Sequence, residues 1–292
     1  MVDAQRRAPV LVGVDGSAGS EAALRWAYRT AALECRPVTA LLAWTADGLP
    51  RNVYREATAA SHRGLTRAAA EMLDRSVARV PMPDPPVEVS TRVVNTDTVS
   101  ALLQHGEQAA MTVVGAAGHG PLGRLLVGSV SQGLVHHASR PVVVVRGTDV
   151  GERSDQRPMI VGVDGSPASL AALRWAAERA SLCRVPLRLI HAYALSATPL
   201  PQRLEKIYQG LREHGWRVLD EATATVEGTF DVAVTADAVV DAPGRTLVRE
   251  SSSAQLVATG ARGHGGFAAL LLGSTGHQCV LHAACPVAVV RP

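Results

Sequence analysis

Two kinds of apolar periodicity alternate along this chain. Residues 10–14 form a short β-branched run that stops at Asp15-Gly16-Ser17, after which apolar positions recur at helical spacing through Ala23, Trp26, Ala27 and Ala31. Pro37 and residues 38–44 restart a strand, and an alanine-rich amphipathic stretch over residues 56–80, closed by Pro81, reads as a long helix. The pattern then predicts strands over 87–94, 111–115 and 141–146, with helices over 98–108 and 129–138. A glycine-rich connection joins the fourth strand to the helix after it. Strands alternating with helices imply right-handed crossovers and a parallel sheet covered on both faces. This unit therefore reads as a small doubly wound α/β sandwich.

The unit occurs twice. VGVDGSAGSEAALRWAYRTAAL, from Val12, matches VGVDGSPASLAALRWAAERASL, from Val161, at 15 of 22 positions. VGAAGHGPLGRLLVGSVSQGLVHHASRPVVVVR, from Val114, pairs in the same order with TGARGHGGFAALLLGSTGHQCVLHAACPVAVVR, from Thr259. We expect one domain over residues 1–146, a polar linker over 147–157 and a second domain over 158–292.

Composition narrows the chemistry. A 292-residue chain with 47% apolar and 19% charged residues can bury a core, and a net charge of +3 without a basic run gives no nucleic-acid footprint. Lys206 is the single lysine. Neither a Walker A loop nor the strand lysine of a protein kinase can be built. Cys35, Cys183, Cys279 and Cys285 form no C-x-x-C pair and read as reduced thiols. With no leader-like start and no apolar run of the ~20 residues that span a bilayer, the expectation is a cytoplasmic protein without a membrane partner.

In open α/β sheets ligands bind beyond the carboxyl ends of the strands, near the switch in strand order. Asp15 and Asp164 follow the first strand of each half, where a carboxylate can meet ribose hydroxyls or a phosphate-bound divalent ion. Asp-Gly-Ser is equally what a turn and helix start choose. Gly115-x-x-Gly118, nine residues and Gly128-Ser129 follow the fourth strand, and Gly260, Gly263, Gly273 and Ser274 repeat that spacing. Glycines let amides approach phosphate oxygens, and a helix start favours an anion. Ser131 adds a hydroxyl where the second half has Gly276, and Arg262 stands against Ala117, Arg124 against Ala269. His119 and His264 repeat within the loops. His136, His137, His277 and His282 lie on the next helix without carboxylates at metal-ligand spacing, and Trp26 and Trp175 are expected in the core. No Ser-His-Asp set, close carboxylate pair or G-x-S-x-G elbow is present.

The opening VGVDGS, the G-x-x-G-x9-G-[ST] loop and the closing PVVVV or PVAVV strand resemble the universal stress protein family in its tandem, ATP-binding form, almost end to end in both halves. The resemblance implies five-stranded parallel sheets, ATP at the strand tips and dimerisation through the last strand. The two copies of that strand can alternatively pair within one chain. Carried across, the ATP site comprises Gly13, Val14, Asp15, Ala43, Gly115, Gly118, Gly128, Ser129, Val130 and Ser131 in the first half. In the second it comprises Gly162, Val163, Asp164, Ala192, Gly260, Gly263, Gly273, Ser274 and Thr275. Ala43 and Ala192 would face adenine, and Mg2+ would sit on the phosphates near Asp15 and Asp164. The expected function is a nucleotide-dependent regulator or sensor in stress response, not an enzyme, with an unidentified downstream protein partner. A slow ATPase or autokinase using the same pocket, and a non-binding dimeric scaffold, are the alternatives.

Overall fold

A computed structural model of the chain describes residues 7–45, 62–116, 128–146, 155–194, 201–263 and 272–292. It divides into two compact units, Met1–Val150 and Gly151–Pro292. In the first, β1 (Val10–Gly13) lies between β2 (Val38–Trp44) and β4 (Met111–Gly115). β3 (Val89–Asn95) sits outside β2 and β5 (Val142–Val145) outside β4, all parallel. In the second, β6 (Met159–Gly162) lies between β7 (Leu187–Tyr193) and β9 (Leu256–Gly260). β8 (Val234–Val240) is outside β7 and β10 (Val287–Val290) outside β9, again all parallel.

The chain leaves β1 toward β2 and later returns to β1's other side as β4, so strand order reverses between β1 and β4. The same reversal falls between β6 and β9. Asp15 and Asp164 follow the first strand of each reversal, and the glycine loops follow the second.

Among the described residues, each unit has four α-helices: α1 (Ala18–Glu34), α2 (His62–Arg79), α3 (Thr98–Gly106) and α4 (Ser129–His137), then α5 (Pro167–Cys183), α6 (Pro201–Ala224), α7 (Pro243–Glu250) and α8 (Ser274–His282). The expected helix over 56–80 runs from His62 in the described residues; its first positions lie outside them. α1 packs on β1 and β4 and touches α2, while α3 and α4 pack together; in the second unit α5 covers β6 and β9, and α7 packs on α8. Helix starts follow local chemistry. The Ser17 hydroxyl accepts the Ser20 amide to begin α1, and Ser166 does the same for Ser169 in α5, where Pro167 occupies the first turn. Both helices stop at a left-handed residue, Cys35 (φ 51°) and Arg184 (φ 54°).

The central strands are solidly apolar because both faces are covered: Val10, Val12, Val38, Ala40, Val113, Val161, Leu189 and Val257 are all buried. Trp26 and Trp175 depart from expectation, since both are only half-buried. Tyr28 is the fully buried aromatic of α1, and Trp175 carries the Arg179 guanidinium over its ring at 4.0 Å. Helical spacing alone did not distinguish positions 26 and 28, about 200° apart at ~100° per residue.

Candidate functional site

Each unit begins its site with an Asp-Gly-Ser turn. Gly16 and Gly165 take φ of 81° and 80°, a left-handed bend that a side chain resists, and this turns the chain from strand into helix. Asp15 is exposed, and its Oδ1 accepts both the Ser17 amide at 3.0 Å and the Ser17 hydroxyl at 2.6 Å. Asp164 is half-buried and accepts the Ser166 amide at 3.0 Å, while its own amide donates to Ser169 Oγ at 3.3 Å. The turn reading of Asp-Gly-Ser is therefore realised in both halves, and the carboxylates stand at the switch points.

The glycine loops are closed at their base. Gly128 donates its amide to the Ala116 carbonyl at 2.7 Å, and Gly273 donates to Ala261 at 2.8 Å. This seats the starts of α4 and α8 beside the tips of β4 and β9. Unlike α1, α3 and α5, these two helices begin on a glycine, Gly128 and Gly273, and no side chain caps them. Their first amides, on Ser129, Val130 and Ser131 and on Ser274, Thr275 and Gly276, form the positive end of a helix dipole. Ser129 and Ser274 are exposed; Thr275 and Val130 are half-buried.

The first glycine of each loop has a packing reason. A Cβ on Gly115 would lie 2.6 Å from the Gly19 backbone of α1, and one on Gly260 2.7 Å from the Ala168 backbone of α5. At these positions glycine admits the helix to the strand end, alongside any approach of ligand to the backbone. A Cβ on Gly263 would fall on Asp164 Oδ2, so this glycine brings loop and carboxylate together. Ser166 Oγ, donating to the Arg262 carbonyl at 3.4 Å, ties the same two segments. Gly118, Ala117, His119, Arg124, His264 and Ala269 lie outside the described residues.

Ser131 is buried, and its hydroxyl donates to the Gly115 carbonyl at 2.7 Å, so its proton is engaged within the protein rather than turned to a ligand. Arg262 is exposed, and burial followed by the charge of Arg262 holds the Arg291 guanidinium below its ordinary value, which places two positive groups near the tips of β9 and β10. Ala43 and Ala192 lie half-buried near the ends of β2 and β7, and the amides of Val14 and Val163 donate to Leu41 and Ile190 at 2.9 Å. Gly13 and Gly162 end β1 and β6.

Sequence reasoning missed His191. It is buried in β7, and because a carbonyl only accepts, its Nδ1–H donates to the Val163 oxygen at 2.7 Å, next to Asp164. Aligning the repeats sets it against Leu42, a polar-for-apolar exchange on a buried strand that could have flagged it. His136, His137, His277 and His282 are half-buried or exposed, and the described residues contain no group of three or more His, Cys, Asp or Glu able to hold a metal.

A family model described as the universal stress protein family matches residues 7–146 and 156–291. A universal stress protein of Mycolicibacterium smegmatis is 35% identical over 295 residues, spanning 100% of both chains. Universal stress protein Rv2623 of Mycobacterium tuberculosis is 36% identical over 293 residues, 97% of this chain and 96% of that one. Among solved structures, a universal stress protein from Archaeoglobus fulgidus shares the fold, with a TM-score of 0.66 at 19% identity over 97% of this chain and 98% of that one. With the family model matched once in each half and full-length relatives above the level at which chance similarity is a concern, the chain belongs to the universal stress protein family.

Proposed function

We propose that this universal stress protein binds ATP in each domain and acts as a nucleotide-dependent regulator in the stress response. The observation that carries the reading is the same in both halves: a helix start without a side-chain cap, α4 or α8, held beside the tip of the strand next to the Asp-Gly-Ser turn. Uncapped amides suit phosphate oxygens, and a carboxylate at the switch point suits either ribose hydroxyls or a Mg2+ carried mainly by phosphates and water. Asp15 and Asp164, acceptor-only when ionised, fit that role, and bound Mg2+ would supply charge neutralisation of the phosphates.

Regulation is favoured over turnover because the chain's single lysine, Lys206, lies on α6 rather than in a phosphate loop, and Asp15 Oδ1 is already occupied by Ser17. Denaturing the purified protein and identifying the released nucleotide tests the reading. Release of ATP supports it, whereas no released nucleotide together with no uptake by the stripped protein overturns it.

A further inference from the structure

Where a strand gives way to a turn, its last carbonyls need acceptor partners from outside the ladder, and the two domains meet that need differently. In each, the residue just past the first strand donates its amide to the neighbouring strand, Val14 to Leu41 and Val163 to Ile190, both at 2.9 Å. The registers are equivalent, with Gly13 opposite Leu41 and Gly162 opposite Ile190, so Leu42 of β2 and His191 of β7 occupy matching positions. Leu42 has no polar hydrogen to offer. His191 has one, and its Nδ1–H donates to the Val163 carbonyl at 2.7 Å. The N–H of the same peptide unit, on Asp164, donates to Ser169 Oγ at 3.3 Å. Both polar atoms of the peptide joining Val163 to Asp164 are thus held by side chains, one from β7 and one from α5.

The imidazole is itself held in place. His191 is 7% exposed, the Tyr193 ring lies 5.9 Å from its centroid, and the His214 ring of α6 meets it edge-on at 6.2 Å. A Cβ on Gly215 would stand 3.0 Å from His191 Cδ2, so glycine at this point of α6 admits the ring against the sheet. A peptide plane pinned on both sides turns only by breaking one of these hydrogen bonds, and its turning changes φ of Asp164, which aims the carboxylate. We propose that His191 is a positioning residue for Asp164 in the second nucleotide site. A carboxylate already aimed at its ligand loses less freedom on binding than one that must be ordered then. In the first domain β2 supplies no such donor, and Asp15 is exposed where Asp164 is half-buried. This inference rests on the nucleotide reading above and adds a residue outside both the loop motif and the Asp-Gly-Ser turn.

Two-site calorimetric titration of the full chain with MgATP, beside thermal melts, tests it. His191→Leu installs the first domain's residue, and His191→Phe keeps a ring against Gly215 without the donor. Each should weaken one of the two ATP sites about fivefold and leave the other unchanged. His191→Asn, whose Nδ2–H replaces the Nδ1–H, should bind within about twofold of wild type. In an Asp164→Asn background, His191→Leu should cost little further affinity, because the imidazole acts through a carboxylate that is already gone. A histidine that only stabilises the fold would instead lower the melting temperature and give the same proportionate loss in both backgrounds. Wild-type ATP affinity in both His191→Leu and His191→Phe, or a His191→Leu loss that persists in full beside Asp164→Asn, overturns the assignment. Absence of ATP binding by the wild-type chain overturns the nucleotide reading itself and this inference with it.

Discussion

A thiol ionises only where the anion can be solvated or paired, and burial pushes Cys279 and Cys285 up to about 12. The charge of Cys285 adds to the effect on Cys279, while Arg157 pulls Cys285 partly back down. Since both folded values stand above the ordinary 9.0, the neutral thiols support the fold fully below about pH 9. That support is lost as pH rises through about 12. At pH 8 a thiol reagent should therefore modify exposed Cys35 and spare Cys279 and Cys285 until the chain unfolds, as peptide mass spectrometry will show. Equal labelling of all three in the native protein would contradict this. The loop glycines divide in the same residue-by-residue way. Gly260→Ala drives a methyl group into the Ala168 and Ser169 backbone, which cannot yield, and should destabilise the second domain by about 1–3 kcal/mol in denaturant titration. Gly263→Ala meets a side-chain end, the Asp164 carboxylate, rather than backbone. Its melting temperature should stay near wild type while nucleotide affinity falls, and unchanged affinity would show that the Asp164 position is irrelevant to binding.

At the scale of the element, α1 and α5 share a start and a stop, and both can be tested. Ser166→Ala removes the acceptor of the Ser169 amide and should cost about 1 kcal/mol, within the usual range for a lost cap. Arg184 holds φ of 54° at the end of α5, where an L-residue is strained, so Arg184→Gly should stabilise by about 1 kcal/mol despite glycine's greater freedom in the unfolded chain. A lower melting temperature for Arg184→Gly would mean that the arginine side chain contributes more than its backbone costs. The caps were legible in advance, because Asp-Gly-Ser before an amphipathic run is local chemistry. The termini of α4 and α8 were legible as glycine-serine starts, yet the lack of a side-chain cap emerged only once the strands placed Ala116 against Gly128 and Ala261 against Gly273.

At the scale of the whole molecule, duplication implies duplicated binding. Titration of nucleotide-stripped protein should saturate near two ATP per chain; saturation near one would confine the site to a single domain. Among the described residues no helix is long and apolar enough to cross a membrane. The alternation of strand and helix, the twofold repeat, the position of the Asp turns and the spacing of the glycine loops were all determined by sequence alone. Each is written in periodicity or in contiguous motifs, and hydrophobic patterning with turn chemistry acts over a few residues. The tertiary structure decided which polar group meets which. Ser131 finds the Gly115 carbonyl 16 residues away, His191 finds Val163 28 residues away, and Ser166 reaches Arg262 across 96. It also decided that Tyr28 rather than Trp26 fills the core, and that Thr259 has no partner among the described residues. A hydroxyl or imidazole carries the same donors in any sequence context, so its role is set by whichever acceptor the packed strands and helices bring within about 3 Å.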